Sequence, residues 1–294
     1  MRIVDVDEFE KFSSVFRGDR GHRLAEFLMR LFAIDKVNWV YDRSRDFTGP
    51  QFASRLLKDV GVDYLIGNAG RLHQLPEGAF ITVSNHPYGG LDGIMMIDLF
   101  AGLRSDYKFM VSHLLSLVKT LQGNFITVSP MTNDSKGISA ASIRGIRETL
   151  THIREGHPVG FFPSGAVSDL RLRDFRIRDR NWQKSIINLI YSVKVPVLPV
   201  RFFDRNSPFF YFLGLIHWRI RSLRMPYEVF NKHGSRIRVG IGRMIPPEQQ
   251  ENFPDAESFG NYLRKMVYEM PEPETYTPRS ELLMNRKADR IMTG

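Results

Sequence analysis

His86 and Asp92 are two residues whose types and spacing suit acid–base chemistry. His86 follows an apolar, β-branched run over residues 80–84, which reads as a strand closed by Asn85 and Pro87. Leu91, Ile94, Met95 and Leu99 fall on one face at helical spacing, so a helix is expected from Leu91 with Asp92 in its first turn. The loop between carries Pro87, Gly89 and Gly90 and can fold back, bringing carboxylate and imidazole together at a sheet edge. An imidazole held by a carboxylate is a general base suited to neutral pH. The two residues alone leave another reading open. A loop histidine is often structural or solvated, and an acidic residue suits the first turn of a helix for dipole reasons.

Three further stretches carry chemical character. A buried-type strand over 158–162 ends in Pro163-Ser164-Gly165-Ala166-Val167-Ser168. Proline and glycine after a strand make a tight turn whose N–H groups can face a ligand, or simply an ordinary strand-to-loop turn. The run 169–180 interleaves Arg171, Arg173, Arg176, Arg178 and Arg180 with acidic and apolar residues, as a basic lip or as a solvated loop. Residues 208–225 join bulky apolar side chains to Arg219, Arg221 and Arg224, with Tyr211 and Trp218 among them. That pattern fits a membrane–water boundary, and it also fits a buried helix pair with a basic edge.

Asn85-His86-Pro87-Tyr88-Gly89-Gly90-Leu91-Asp92 resembles the first block of the phospholipid/glycerol acyltransferases, the lysophosphatidate-acyltransferase-like enzymes. Their signature places four residues between His and Asp, whereas five stand here, Pro87 to Leu91. The longer form is similar to a hemolysin-like, ornithine-lipid branch of that family, and its added glycine can be absorbed as a loop bulge. Gly123, Phe125 and Ile126 match a second block, with Val128 where the family keeps an Arg. The third block is Phe-Pro-Glu-Gly-Thr-Arg-Ser. Phe162, Pro163, Gly165 and Ser168 match it, while Ser164, Ala166 and Val167 depart toward the branch's own form. Residues 195–202 resemble the fourth, an apolar strand with prolines.

The resemblance implies an α/β fold, a mixed sheet flanked by helices with a helical N-terminal layer. It implies an O-acyltransferase whose base is His86, oriented by Asp92, with Ser164, Gly165 or nearby backbone donors holding the oxyanion. Asn85, Gly89, Gly90, Phe162, Pro163, Ser164, Gly165, Ser168, Arg171 and Arg173 are the expected substrate contacts. Trp218, Arg219, Arg221 and Arg224 are the expected contacts with an anionic membrane surface. The donor would be an acyl carrier protein or acyl-CoA as co-substrate, with no cofactor. Because the phosphate-binding Arg is missing, a lyso-aminolipid such as lyso-ornithine or lyso-glycine lipid is the expected acceptor. Acylation of 1-acylglycerol 3-phosphate is the alternative, and a lipid-binding protein without catalysis on the same fold is another.

The elements that must position these residues follow from the whole chain. Its 294 residues, 43% hydrophobic and 25% charged, are those of an ordinary globular protein. There is no cysteine, hence no disulfide, thiolate metal site or Cys nucleophile, and the eight histidines show no ligand spacing, so no metal is expected. A net charge of +9 points to an anionic partner. No basic nucleic-acid module appears, so nucleic acid is not expected. The chain starts without a secretory pattern, and no apolar run reaches the ~20 residues of a spanning helix. The expected location is therefore the cytoplasm, peripheral on the inner face of the cell membrane. Residues 1–65 read as a helical layer, with Leu24, Phe27, Leu28, Leu31 and Phe32 on one face of the first helix. Residues 66–270 read as the acyltransferase domain, and 271–294, rich in Pro, Glu and Thr and then basic, as a flexible tail. His113 reads as structural and Ser139 as a helix N-cap.

Overall fold

The computed structural model describes residues 17–112, 118–128 and 140–282. Three helices come first: α1 (Gly18–Leu31), α2 (Ile34–Ser44) and α3 (Gly49–Val60). Gly61, left-handed at φ 71°, caps α3 and turns the chain into β1 (Asp63–Gly67). β2 (Ile81–Ser84) leads to α4 (Leu91–Met96), which continues as a π-helical turn, Ile97–Ala101. Next come β3 (Lys108–Ser112), a 3₁₀ turn (Lys119–Asn124), β4 (Phe125–Val128), α5 (Ala140–Arg154) and β5 (Val159–Phe161). A small hairpin, β6 (Asp169–Arg171) and β7 (Arg176–Arg178), precedes α6 (Lys184–Val193) and β8 (Val197–Phe202). The chain then forms α7 (Pro208–Ile216), α8 (Trp218–Phe230), β9 (Arg236–Ile241), α9 (Pro247–Gln250), α10 (Ala256–Tyr268) and β10 (Tyr276–Pro278).

Eight strands form one mixed sheet in the order β10-β1-β9-β8-β2-β5-β3-β4. The block from β8 to β4 is parallel, while β9 meets β8 antiparallel and pairs in parallel with β1. Helices cover both faces, which is why the strands read as continuous apolar runs. Alternation along β3 shows the two sides: Phe109 and Val111 enter a core with Phe52, Leu57 and Phe100, while Met110 enters one with Ile187, Phe259 and Leu263. The expected α/β architecture is thus present.

Two expectations need correction, and the orientation of α1, which the sequence left open, is settled. β10 pairs with β1 at the sheet edge, and Arg279 makes ion pairs with buried Asp98. Residues 276–279 therefore belong to the fold, despite a Pro- and Glu-rich approach that suggested a flexible tail. The strand β1 also straddles the boundary drawn at residue 65 and belongs to the main sheet. On α1 the stripe of Leu24, Phe27 and Leu31 is exposed, and Ala25 and Met29 face inward instead. His113, Ser139 and the chain from 283 onward lie outside the described residues. Among the described residues, no helix is long and apolar enough to cross a membrane.

Candidate active site

β2 and β5 are parallel neighbours, with Val83 opposite Phe161. Their carboxyl ends therefore release the 85–90 loop and the 162–168 turn at the same sheet edge, where α/β proteins bind ligands. There His86 Nδ1 lies 2.8 Å from Asp92 Oδ2. Asp92 is fully buried. Its Oδ2 also accepts the Tyr88 N–H at 2.9 Å and the Gly89 N–H at 3.3 Å, and its Oδ1 accepts the Gly93 N–H at 2.9 Å. A carboxylate only accepts, so the imidazole proton sits on Nδ1 and leaves Nε2 as the free base. The five-residue spacing keeps this geometry because Gly89 turns at φ 90°, a conformation open to glycine.

The His86 ring stacks on Phe162, which in turn leans on Phe109. Both His86 and Phe162 line a cavity of about 360 Å³, together with Gly89, Gly90 and Gly165. One wall comes from the N-terminal helices through Val37, Val40, Tyr41, Phe52, Leu56 and Val60, and another from β3 and β4 through Phe109, Phe125 and Val128. Among the described residues, the polar side chains on the lining are Tyr41, His86, Ser112 and Gln183, and no Lys or Arg is among them. A narrow apolar space with one carboxylate-oriented imidazole suits proton transfer next to an alkyl chain.

The acyltransferase family model matches residues 8–270. This chain belongs to that family. Among its relatives, the acyltransferase is 25% identical over 255 residues to the lyso-glycine lipid O-acyltransferase of Bacteroides thetaiotaomicron, covering 84% of this chain and 89% of that protein. It is 23% identical over 255 residues to the enzyme of the same name from Phocaeicola vulgatus, with 84% and 87% covered. A solved structure, the 1-acyl-sn-glycerophosphate acyltransferase PlsC of Thermotoga maritima, aligns at a TM-score of 0.49 and 15% identity over 91% of this chain and 87% of that one.

Not all residues expected at the acyltransferase site reach it. Asn85 is a strand clasp: its Nδ2 donates to Phe202 O at 2.9 Å and its Oδ1 accepts the Phe202 N–H at 2.8 Å, tying β2 to β8. Ser164 Oγ donates to Ala166 O, and the Gly165 N–H donates to Phe162 O, so neither is an open oxyanion donor. Pro163 offers its carbonyl to the Gln183 N–H, and Ser168 is bonded to His86 and Asp179. Arg171 donates to Asp179 O from the β6–β7 hairpin, and Arg173 is exposed at its tip; neither lines the cavity.

The basic apolar segment divides as well. Trp218 and Arg219 are exposed, with the guanidinium 5.3 Å from the indole centre. Arg221 is only 5% exposed; it pairs with Asp169 and donates to Ser168 O. Arg224 packs over Tyr227 and Phe209 near Glu228. The surface role expected for Arg221 is thus replaced by a structural one, because its partners lie in a distant hairpin.

The histidines are not all scattered. His152, Glu155 and His157 have ligand-type atoms within 4.8 Å of one another. Both imidazoles are hydrogen-bonded to Asp106, at the amino ends of β3 and β5 and hence the sheet edge opposite His86. Sequence reading missed Asp179, hidden in an Arg-rich run, and Gln183, which lines the cavity and whose Nε2 donates to Ser164 O at 3.4 Å.

Proposed function

We propose that this acyltransferase moves a fatty acyl group from an acyl thioester to the hydroxyl of a lyso-aminolipid of the lyso-glycine lipid class. The observation that carries the reading is the His86–Asp92 pair at 2.8 Å on the wall of an apolar cavity. Nε2 of His86 takes the proton of the acceptor hydroxyl as its oxygen attacks the thioester carbon. The carbon–sulfur bond breaks, and the imidazolium returns the proton to the leaving thiolate. Asp92 holds the ring tautomer and supports its charge. The Gln183 side chain is on the cavity wall; its Nε2 donates to Ser164 O at 3.4 Å, and the second N–H of that amide is the donor able to meet the developing oxyanion. The acyl chain lies between the N-terminal helices and β3–β4.

The names of the two relatives support an aminolipid acceptor, and so does the cavity. Val128 stands on its wall where related enzymes keep an Arg, and among the described residues no Lys or Arg lines the cavity. Burying a phosphate dianion against that wall costs several kcal/mol without a partner. Attachment to an anionic membrane surface is supported by the exposed Phe209, Phe212, Ile216, Trp218, Ile220 and Leu223 on α7 and α8, beside exposed Arg219. The donor thioester is carried by an acyl carrier protein or by coenzyme A.

The test is kcat/KM for lyso-glycine lipid and lysophosphatidate with the same acyl thioester, for wild type and His86→Ala. Preference for the aminolipid and loss of turnover without His86 are expected. Equal or better use of lysophosphatidate overturns the acceptor. Near-normal turnover of His86→Ala overturns the base. Binding without turnover of either lipid leaves a lipid-binding protein.

A further inference from the structure

Orienting the His86 ring through Asp92 is useful only if the backbone carrying that ring is also fixed. His86 leaves the strand into a loop, where no ladder bonds hold it. Its N–H donates to Asp179 Oδ1 at 3.1 Å. Its carbonyl accepts the Ser168 N–H at 2.8 Å, and Ser168 Oγ donates to the same Asp179 Oδ1 at 2.6 Å. Three residues from distant parts of the chain thus close a ring of hydrogen bonds around the His86 backbone.

Asp179 is itself anchored. Its N–H donates to Tyr268 Oη at 2.8 Å, and its carbonyl accepts Arg171 Nη2 and Arg264 Nη2, each at 2.9 Å. Its side chain is fully buried, with the Trp182 indole among the groups that favour its charged form. A buried carboxyl is costly unless its oxygens are held by donors, and at Oδ1 those donors are the His86 N–H and the Ser168 hydroxyl.

We propose that Asp179, acting with Ser168, is the positioning residue for His86, fixing the peptide on both sides of it so that the ring meets Asp92 and turns Nε2 to the substrate. The inference rests on the reading of His86 as the base. It also explains the serine that ends the Phe162–Ser168 turn: its hydroxyl and N–H link that turn to the base instead of touching substrate.

The experiment measures kcat and KM, with melting temperature, for Ser168→Ala, Asp179→Leu, Asp179→Asn and His86→Ala. Misplacing a reacting group by about 1 Å costs on the order of a hundredfold in rate. Asp179→Leu is expected to lose about that much kcat with both KM values unchanged, and Ser168→Ala roughly tenfold. Asp179→Asn keeps an oxygen acceptor and is expected to recover kcat to within a few fold of wild type. Wild-type kcat in Ser168→Ala, or equal defects in Asp179→Leu and Asp179→Asn, overturns the proposal while His86→Ala stays inactive. If Asp179→Leu does not fold, Ser168→Ala decides, since that change leaves little space unfilled. Turnover that survives in His86→Ala overturns the base reading and this proposal together.

Discussion

The imidazole of His86 lies almost flat on the ring of Phe162, with centroids 3.9 Å apart and planes 19° apart. One residue follows β2 and the other follows β5, so parallel pairing of those strands sets the stack. Phe162→Leu removes the aromatic face and leaves the Asp92 bond. Aromatic contacts of this kind contribute about 0.5–1.5 kcal/mol. We expect kcat to fall roughly three- to tenfold, the same energy expressed as rate. Steady-state kinetics check it; an unchanged kcat would make the ring a passive wall.

Asp92→Asn should cut kcat by a large factor, but less than His86→Ala, because the imidazole remains while its orientation is lost. It should also weaken the fold, since Asp92 Oδ2 accepts from the imidazole and two backbone N–H groups that an amide nitrogen cannot serve. Thermal melts beside rate measurements separate the two effects. An Asn variant with wild-type rate would remove Asp92 from the mechanism.

The arginines of α8 should behave differently from one another. Arg219→Gln is expected to weaken binding to anionic vesicles by about 1 kcal/mol at low salt and by less at high salt. Arg221→Gln should leave vesicle binding alone and lower Tm by roughly 10 °C, because it breaks a buried ion pair with Asp169. Vesicle flotation and melting curves distinguish the two. Weaker vesicle binding by a fully folded Arg221→Gln protein would place that side chain at the surface after all.

Burial pushes the Asp179 carboxyl above its ordinary range, opposed by Ser168, His86 and Trp182. A folded pKa above the unfolded one means the native state binds the proton more tightly. Asp179 therefore supports stability most below about pH 4, the unfolded carboxyl range, and loses that support as pH rises through its raised folded value. The Tm difference, Asp179→Asn minus wild type, should grow from pH 4 to pH 7. A difference independent of pH would mean the carboxyl titrates as in water.

Much of this arrangement was legible in residue types. The apolar run before Asn85, the glycines of the loop and the helical spacing after Leu91 together imply that His86 and Asp92 meet. Periodicity also shows the sheet, because strands covered on both faces are apolar throughout. Contacts whose partners lie far apart in the chain were not legible. Asn85 reads as a loop residue and is a clasp to Phe202, 117 residues away. Arg221 reads as a surface cation until Asp169, 52 residues before it, comes into contact. The apolar stripe on α1 points outward, and spacing could not show that, since it reveals that a face is apolar and not which way it points.

Arg279 meets Asp98 across 181 residues of chain. Asp98 lies in the π-helical turn that extends the helix bearing Asp92, and it also accepts from Tyr64 Oη. The underside of the helix that carries Asp92 is thus completed by a side chain that follows the edge strand β10. Without Tyr276–Pro278, β1 would present a bare edge and Asp98 would lack its counter-ion. The edge strand and the helix that carries Asp92 are therefore one linked unit, and loosening the first is expected to unsettle the second.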